Sequence, residues 1–236
     1  MNYLLILVLL SVAVLAHEAG HFIAARMMRI PVRIFSIGFG PKLWSWQRRE
    51  TEFRIAWVPL GGYVMPAVED EDDYFRLSIS KRAVLAAGGP LASVLFPIIC
   101  FSIFNLVTSG LSLGNLLIKP FGQTFVLTAK MLETLPLLFS HPSQLTGVVG
   151  IVVEGGRFVG FNMLRSLQFL SLLSINLAVV NLIPIPVMDG GRLVLCALEK
   201  IHPKAIKLQY PLAIAGWIFI IFIMIYVTVL DVGRYL

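Results

Sequence analysis

His17-Glu18-Ala19-Gly20-His21 carries the most legible chemistry in this chain of 236 residues. On a helix, HExxH spacing sets two imidazoles one turn apart on the same face, where both can ligate one zinc ion. The Glu beside the first His is then held close to a water activated by that ion, as a general base. The residues before it, MNYLLILVLLSVAVLA, carry no charge. A metal site on the continuation of such a run sits at membrane depth, where ionisable groups are costly and usually mark function. The bland alternative, histidines merely packed in a helix bundle, leaves them without partners there at a cost of several kcal/mol.

Two histidines need at least one more protein ligand for a catalytic zinc. The extended HExxHxxGxxH pattern is excluded, because its Gly and third His would fall at Ala24 and Met27. His141 and His202 lie in connecting segments. Asp189 is the better candidate. It follows Asn181-Leu182-Ile183-Pro184-Ile185-Pro186-Val187-Met188, where two prolines interrupt an apolar span. Irregular backbone at membrane depth is tolerated where it is buried or lines a wet cavity, and an acidic residue at such a break suits a metal. Asp189 before Gly190-Gly191 also reads as a cap of the next helix. Beside HEAGH the ligand reading is favoured.

The elements that must position these groups are apolar. Hydrophobic residues make up 58% of the chain, charged residues 14%, and mean hydropathy is +0.86, values that exclude an ordinary soluble domain. The net charge of +6 is no nucleic-acid signal, since the basic residues flank the apolar runs. Cys100 and Cys196 read as buried thiols. The pattern predicts a multi-pass α-helical membrane protein: one domain over 1–236, with about four transmembrane helices near 2–28, 81–107, 161–182 and 211–230. Val14-Leu15-Ala16 could pass for a signal-peptidase site, but Met1-Asn2-Tyr3 lacks the basic residues of a leader, so the first span reads as retained. Ten Lys/Arg from Arg26 to Arg82 place the segment between spans one and two in the cytoplasm and both termini outside.

Residues 32–66 alternate in places and are punctuated by Gly38, Gly40, Pro41, Pro59, Gly61 and Gly62, predicting short strands joined by loops on the cytoplasmic side. This small membrane-associated β-hairpin or sheet either caps the bundle or offers an edge strand to an extended substrate, the second being preferred. Glu69 to Asp73 is a like-charge block of the kind found in solvated loops. Residues 119–146 form an outer segment, read equally as an interfacial amphipathic helix or one packed over the bundle ends.

HEAGH in the first span with NLIPIPVMDGG in the third resembles the site-2 protease family of intramembrane zinc metalloproteases. Phe35-Ser36-Ile37-Gly38-Phe39-Gly40-Pro41 and the stretch from Phe53 to Val64 resemble its bacterial regulatory branch. The resemblance implies one Zn2+ held by His17, His21 and Asp189, with Glu18 as general base. It further implies that Asn181 contacts the substrate backbone and that the loop containing Gly61 and Gly62 holds substrate extended. Two departures stand out. The PDZ domains common in that branch between spans two and three are lacking, which leaves the outer segment as a candidate replacement. The run Ala87-Gly88-Gly89-Pro90-Leu91-Ala92-Ser93 carries Gly88 and Ser93 where the family has Ala and Asn.

The expected function is zinc-dependent endoproteolysis of transmembrane segments of single-span proteins, in regulated intramembrane proteolysis, in a bacterial inner membrane. Its expected partners are transmembrane substrates and the lipid bilayer, with no nucleic acid. The rival class is a non-proteolytic zinc-binding membrane receptor or a metal transporter. A transporter would spread polar ligands along a route across the membrane, whereas here they are concentrated at one depth.

Overall fold

The structure, a computed structural model, describes residues 3–67, 71–140 and 145–235. In chain order the elements are α1 (Tyr3–Met27), strands β1 (Val32–Arg48) and β2 (Thr51–Pro66), a short α2 (Glu71–Arg76), α3 (Ile79–Ser109), α4 (Lys119–Ser140), α5 (Val148–Val159), α6 (Met163–Asn181), α7 (Asp189–Ile201) and α8 (Gln209–Tyr235). Among the described residues four helical stretches are long and apolar enough to cross a membrane: α1, α3, α6, and Pro203–Tyr235, which ends in α8. The chain is a multi-pass α-helical membrane protein with a small sheet. Glu69 and Asp70 of the acidic block, and His141, lie outside the described residues.

The central helix α1 packs on α3, α6 and both strands. Its crossing with α3 is made by glycines: a methyl group added at Gly20 would strike Gly88 O, and one at Gly88 would strike Gly20 O. Small residues here let the two backbones approach, the usual device of helices that meet in lipid. The end of α1 is a left-handed cap built on Arg29 (φ 56°) rather than on glycine. Ile30 N–H bonds Ala25 O at 2.8 Å and Arg29 N–H bonds Arg26 O at 3.1 Å. That is the double bond pattern that satisfies a helix's last carbonyls, and Ile30 packs with Ala25 in one buried cluster as the motif requires. Pro31 then prevents any continuation.

The 32–66 region departs from short strands joined by loops. Two long strands run through the glycines and bend at them, with Gly38 and Gly40 at φ 89° and 86°. Each half of a strand therefore meets different neighbours. Residues 42–48 pair antiparallel with 51–56 as a hairpin, while Ile34 to Ile37 pair antiparallel with Gly62 to Met65 on one side and alongside Glu52 to Ile55 on the other. Across the sheet the order is 42–48, 51–56, 34–37, 62–65, which leaves 62–65 as an edge beside α1.

Two buried clusters bracket the middle of α1. Ile6, Leu9 and Ala13 pack with Cys100, Val159, Phe169, Leu170 and Leu173 at one end. Ala25, Ile30, Val32 and Leu85 form the other. The outer segment is a helix that packs against α3 and α6, tied by Asn105 Nδ2 donating to Gln123 Oε1 at 2.8 Å. Helix α5 carries no signal in the sequence that separates it from its neighbours. It is seated by Gly155, which faces the Phe169 ring, and by Asp231 of α8, whose Oδ2 accepts from Gly150 N–H at 2.8 Å.

Helix α7 is fixed to α3 by a buried ion pair, Arg82 Nη2 to Glu199 Oε1 at 2.6 Å, with Gln209 Nε2 donating to the other Glu199 oxygen at 3.1 Å. Removing one partner of such a pair strands a buried charge and costs about 3–5 kcal/mol, whereas replacing both with apolar groups costs far less. Arg82→Met should therefore lower the thermal midpoint of the detergent-solubilised protein, and Arg82→Met/Glu199→Leu should recover most of the loss. The buried thiols of Cys100 and Cys196, exposed on unfolding, allow both to be followed with a thiol-reactive fluorophore.

Candidate metal centre

His17, His21 and Asp189, 172 positions apart in sequence at their extremes, meet between α1 and the start of α7. His17 Nε2 and His21 Nε2 each lie 3.2 Å from Asp189 Oδ2 and 3.2 Å from one another. His17 and Asp189 are buried, and the His21 side chain is 12% exposed.

Local sequence explains the arrangement. The i, i+4 spacing turns both imidazoles toward α3, where Gly89 makes room: a methyl group added there would overlap Nε2 of both histidines. Asp189 reaches them because α6 stops at Asn181 and the chain turns tightly through Pro184 and Pro186, with Ile185 N–H bonding Ile183 O and Met188 N–H bonding Ile185 O. The first turn of α7 then lies directly on that broken segment, and a Cβ at Gly190 or Gly191 would strike Leu182 O or Ile185 O. Met188 holds the cap position of α7, not Asp189, so the aspartate is not spent on capping.

The ring nitrogens facing away from the cluster are also occupied. His21 Nδ1 lies 2.8 Å from Leu85 O and 3.3 Å from the N–H of Gly89. In the neutral tautomer that donates Nδ1–H to the Leu85 carbonyl, Nε2 presents a lone pair toward Asp189. His17 Nδ1 lies 2.9 Å from Ser93 Oγ, and with Nδ1–H donating there its Nε2 is free in the same way. Asp189 lies outside the four spans. Burial pushes its carboxyl up, but the two imidazoles beside it prevail and hold it below the usual carboxylate range.

With both rings in that tautomer, three electron-rich atoms converge, an arrangement that a bound cation makes favourable. Their separations suit zinc. Tetrahedral ligands at 2.0–2.1 Å from one ion stand about 3.3 Å apart, close to the 3.2 Å found here. Three protein ligands leave a fourth position open, as in catalytic rather than structural sites.

Glu18 is buried beside this cluster on α1 and makes no hydrogen bond among the described residues. Gly62 lies against it, since a methyl group there would press on Glu18 Cγ and on Ser36 O, each 2.8 Å away. The edge segment 62–65 therefore runs past the glutamate. Gly61 is occupied elsewhere, facing the Phe39 ring. Asn181 is half-buried at the end of α6, with its Nδ2 turned back to Leu177 O at 2.9 Å rather than into the cluster. Sequence reasoning noticed Ser93 only as a departure from a pattern and did not find Leu85 or Gly89 as supports. Their roles depend on the α1–α3 register, which no local signal specifies.

Comparison with known proteins gives consistent relatives. The profile of peptidase family M50 matches residues 5–226. A candidate zinc metalloprotease of Clostridium perfringens is 27% identical over 320 aligned residues, covering 94% of this chain and 96% of the relative. One from a Nostoc species is 39% identical over 105 residues, 41% of this chain and 29% of the relative. Protease RseP of Yersinia pestis is 38% identical over 105 residues, 40% and 23% of the two chains. The matched stretch thus spans less than a third of the Nostoc and Yersinia proteins. The Clostridium alignment needs 320 positions for a chain of 236 residues, so that relative carries a long stretch with no counterpart here.

Partners that orient metal-bound histidines typically account for 10–100-fold in metal affinity. Ser93→Ala should weaken zinc binding by about tenfold or more without displacing the helices. Competition titration against a chromophoric chelator reads the affinity, and far-ultraviolet circular dichroism checks the fold.

Proposed function

The chain belongs to peptidase family M50, and from that premise we propose that it is a zinc-dependent endopeptidase that cuts peptide bonds within or beside transmembrane segments of single-span proteins. The observation that carries this reading is the convergence of His17 Nε2, His21 Nε2 and Asp189 Oδ2, with an unpartnered Glu18 alongside, on a helix able to cross a membrane.

A zinc ion held by His17, His21 and Asp189 would supply Lewis-acid polarisation of the scissile carbonyl and a water of lowered pKa. The protein's own residues do the rest. Glu18 accepts the proton of the attacking water and returns it to the departing amine. Ser93 and Leu85 O fix the two rings, so that no reorientation is needed during the reaction. A helical substrate must be unwound before its backbone is accessible, and its freed amides and carbonyls need partners at that depth. The edge 62–65 offers such partners by strand addition, which would lay the extended substrate across Glu18. Asn181 is assigned a supporting contact with that backbone once its amide leaves Leu177 O.

The basic residues between the first two spans support a cytoplasmic hairpin with both termini outside. The bacterial relatives support residence in a bacterial inner membrane. The name of the Yersinia relative, protease RseP, supports proteolysis, and a place in regulated intramembrane proteolysis rests on the resemblance to the site-2 protease family. Zinc transport is disfavoured because the ligands form one closed cluster rather than a route.

Glu18→Gln should retain zinc yet lose cleavage of a single-span model substrate in proteoliposomes by about 100-fold or more, the usual contribution of a general base. Chelation should abolish cleavage in the wild type. Unchanged cleavage by Glu18→Gln would refute the assignment, and zinc flux into the liposomes without cleavage would favour the transporter reading.

A further inference from the structure

Arg192 is a cation without a counterpart. Its backbone N–H bonds Met188 O at 3.1 Å in the first turn of α7, three residues after Asp189. Side chains at i and i+3 share a helix face, so the arginine projects from the face that carries Asp189, about 4.5 Å further along the axis. It is exposed and makes no hydrogen bond or ion pair among the described residues. By contrast Arg54, Arg76, Arg82 and Arg157 each hold a carboxylate.

Two other elements face the same guanidinium. Its charge acts on Glu18 of α1 and on Tyr74 of α2. Burial pushes the Tyr74 phenol up, and Arg192 leads the charges that draw it back, ahead of Arg82. Tyr74 is half-buried and packs against the cluster of Ala25, Ile30, Val32 and Leu85. Arg192 thus stands in a space bordered by α1, α2 and α7, beside the candidate general base. The anions on α1 and α7 have other work. Asp189 is held to both histidines at 3.2 Å, and Glu199 is paired with Arg82. Glu18 must exchange a proton during the reaction. An unpaired guanidinium in such a place suits a planar anion, since it stays charged at any working pH and its fork matches a carboxylate.

We propose that Arg192 is a specificity-determining residue that binds the carboxylate of an Asp or Glu side chain close to the scissile bond. The inference rests on the protease reading and adds a substrate class to it. The edge 62–65 runs past Glu18, with Gly62 against Glu18 Cγ, so an extended substrate paired to that edge passes the region that Arg192 faces. An extended chain advances about 3.3 Å per residue, so residues within three positions of the cut bond stay within about 10 Å of Glu18. A carboxylate there answers the guanidinium, whereas a lysine there meets like charge. Segments with an acidic residue beside the cut would therefore be taken in preference to segments with a basic one.

The test uses full-length, zinc-loaded protein in phosphatidylcholine liposomes and a single-span model substrate whose cut bond is located by mass spectrometry. Asp, Asn or Lys is then placed singly at each of the three residues on either side of that bond. The kcat/KM ratio of Asp to Lys is read within each protein variant, so a general loss of activity cancels. Wild type should favour Asp over Lys by about tenfold or more at one position at least, the size of one close charge pair across an interface. Arg192→Gln should bring that ratio near one, and Arg192→Glu should invert it. A structural role for Arg192 cannot produce the inversion, and Arg192→Gln carries the test if Arg192→Glu fails to retain zinc. No Asp preference in wild type, or one that Arg192→Gln leaves unchanged, would overturn the proposal and leave the protease reading intact. A preference that vanishes once phosphatidylglycerol is added would also overturn it and assign the guanidinium to lipid phosphate. Failure of the zinc-loaded wild type to cut any of the substrates would overturn the protease reading, and the proposal with it.

Discussion

Two imidazoles and a carboxylate held 3.2 Å from one another inside an apolar bundle are the constraint around which the rest of the molecule is organised. The outward nitrogens of His17 and His21 lie against Ser93 Oγ and Leu85 O, partners that suit the tautomers whose inward nitrogens are free for a cation. Gly20 and Gly88 bring α1 and α3 close enough for those ties, and Gly89 leaves the space that the imidazoles fill. From the other side, Gly190 and Gly191 let α7 sit on the broken end of α6 so that Asp189 arrives at 3.2 Å from both nitrogens. Five of the positions that define the site are glycines because backbone, not side chain, has to make each approach.

Elsewhere the bundle follows the rule that polar groups at membrane depth find partners within the protein. Ser174 Oγ donates to Ser93 O at 2.8 Å and couples α6 to the turn of α3 that supports His17. Arg82 and Glu199 hold α7 against α3, and Asp231 receives Gly150 N–H where α5 begins. The match is incomplete, since Arg82 Nη1, Thr124 Oγ1 and Asp231 Oδ1 are buried without a hydrogen-bond partner among the described residues. Glu18 is set apart by its place beside the candidate metal ligands, where a reacting partner would be received.

The spans and the ligand set were legible because each rests on local pattern. Uncharged runs of about 20 residues can do little but cross a membrane, HExxH fixes two ligands through helical periodicity alone, and two prolines before an aspartate announce a break. The hairpin region was legible in kind but not in form. Glycines that read as strand ends are bends within continuous strands, because a left-handed residue can redirect a strand without ending its pairing. Helix α5 and the supports Ser93, Leu85 and Gly89 were not legible as such. Each acts through a contact between distant segments, and only the register of α1 against α3, or of α5 against α8, gives it meaning. Arg192 stood in the sequence three residues after Asp189, but until the packing was known nothing separated it from the other basic residues that flank the spans.

The most direct measurement is zinc content together with zinc K-edge X-ray absorption on the purified, full-length protein. One zinc per chain, four-coordinate, with two imidazoles and oxygen ligands and no sulfur, lost in Asp189→Ala, is the predicted result. A protein that retains no zinc at stoichiometric supply, or one whose bound zinc keeps the same coordination after Asp189→Ala, would contradict the account of this centre.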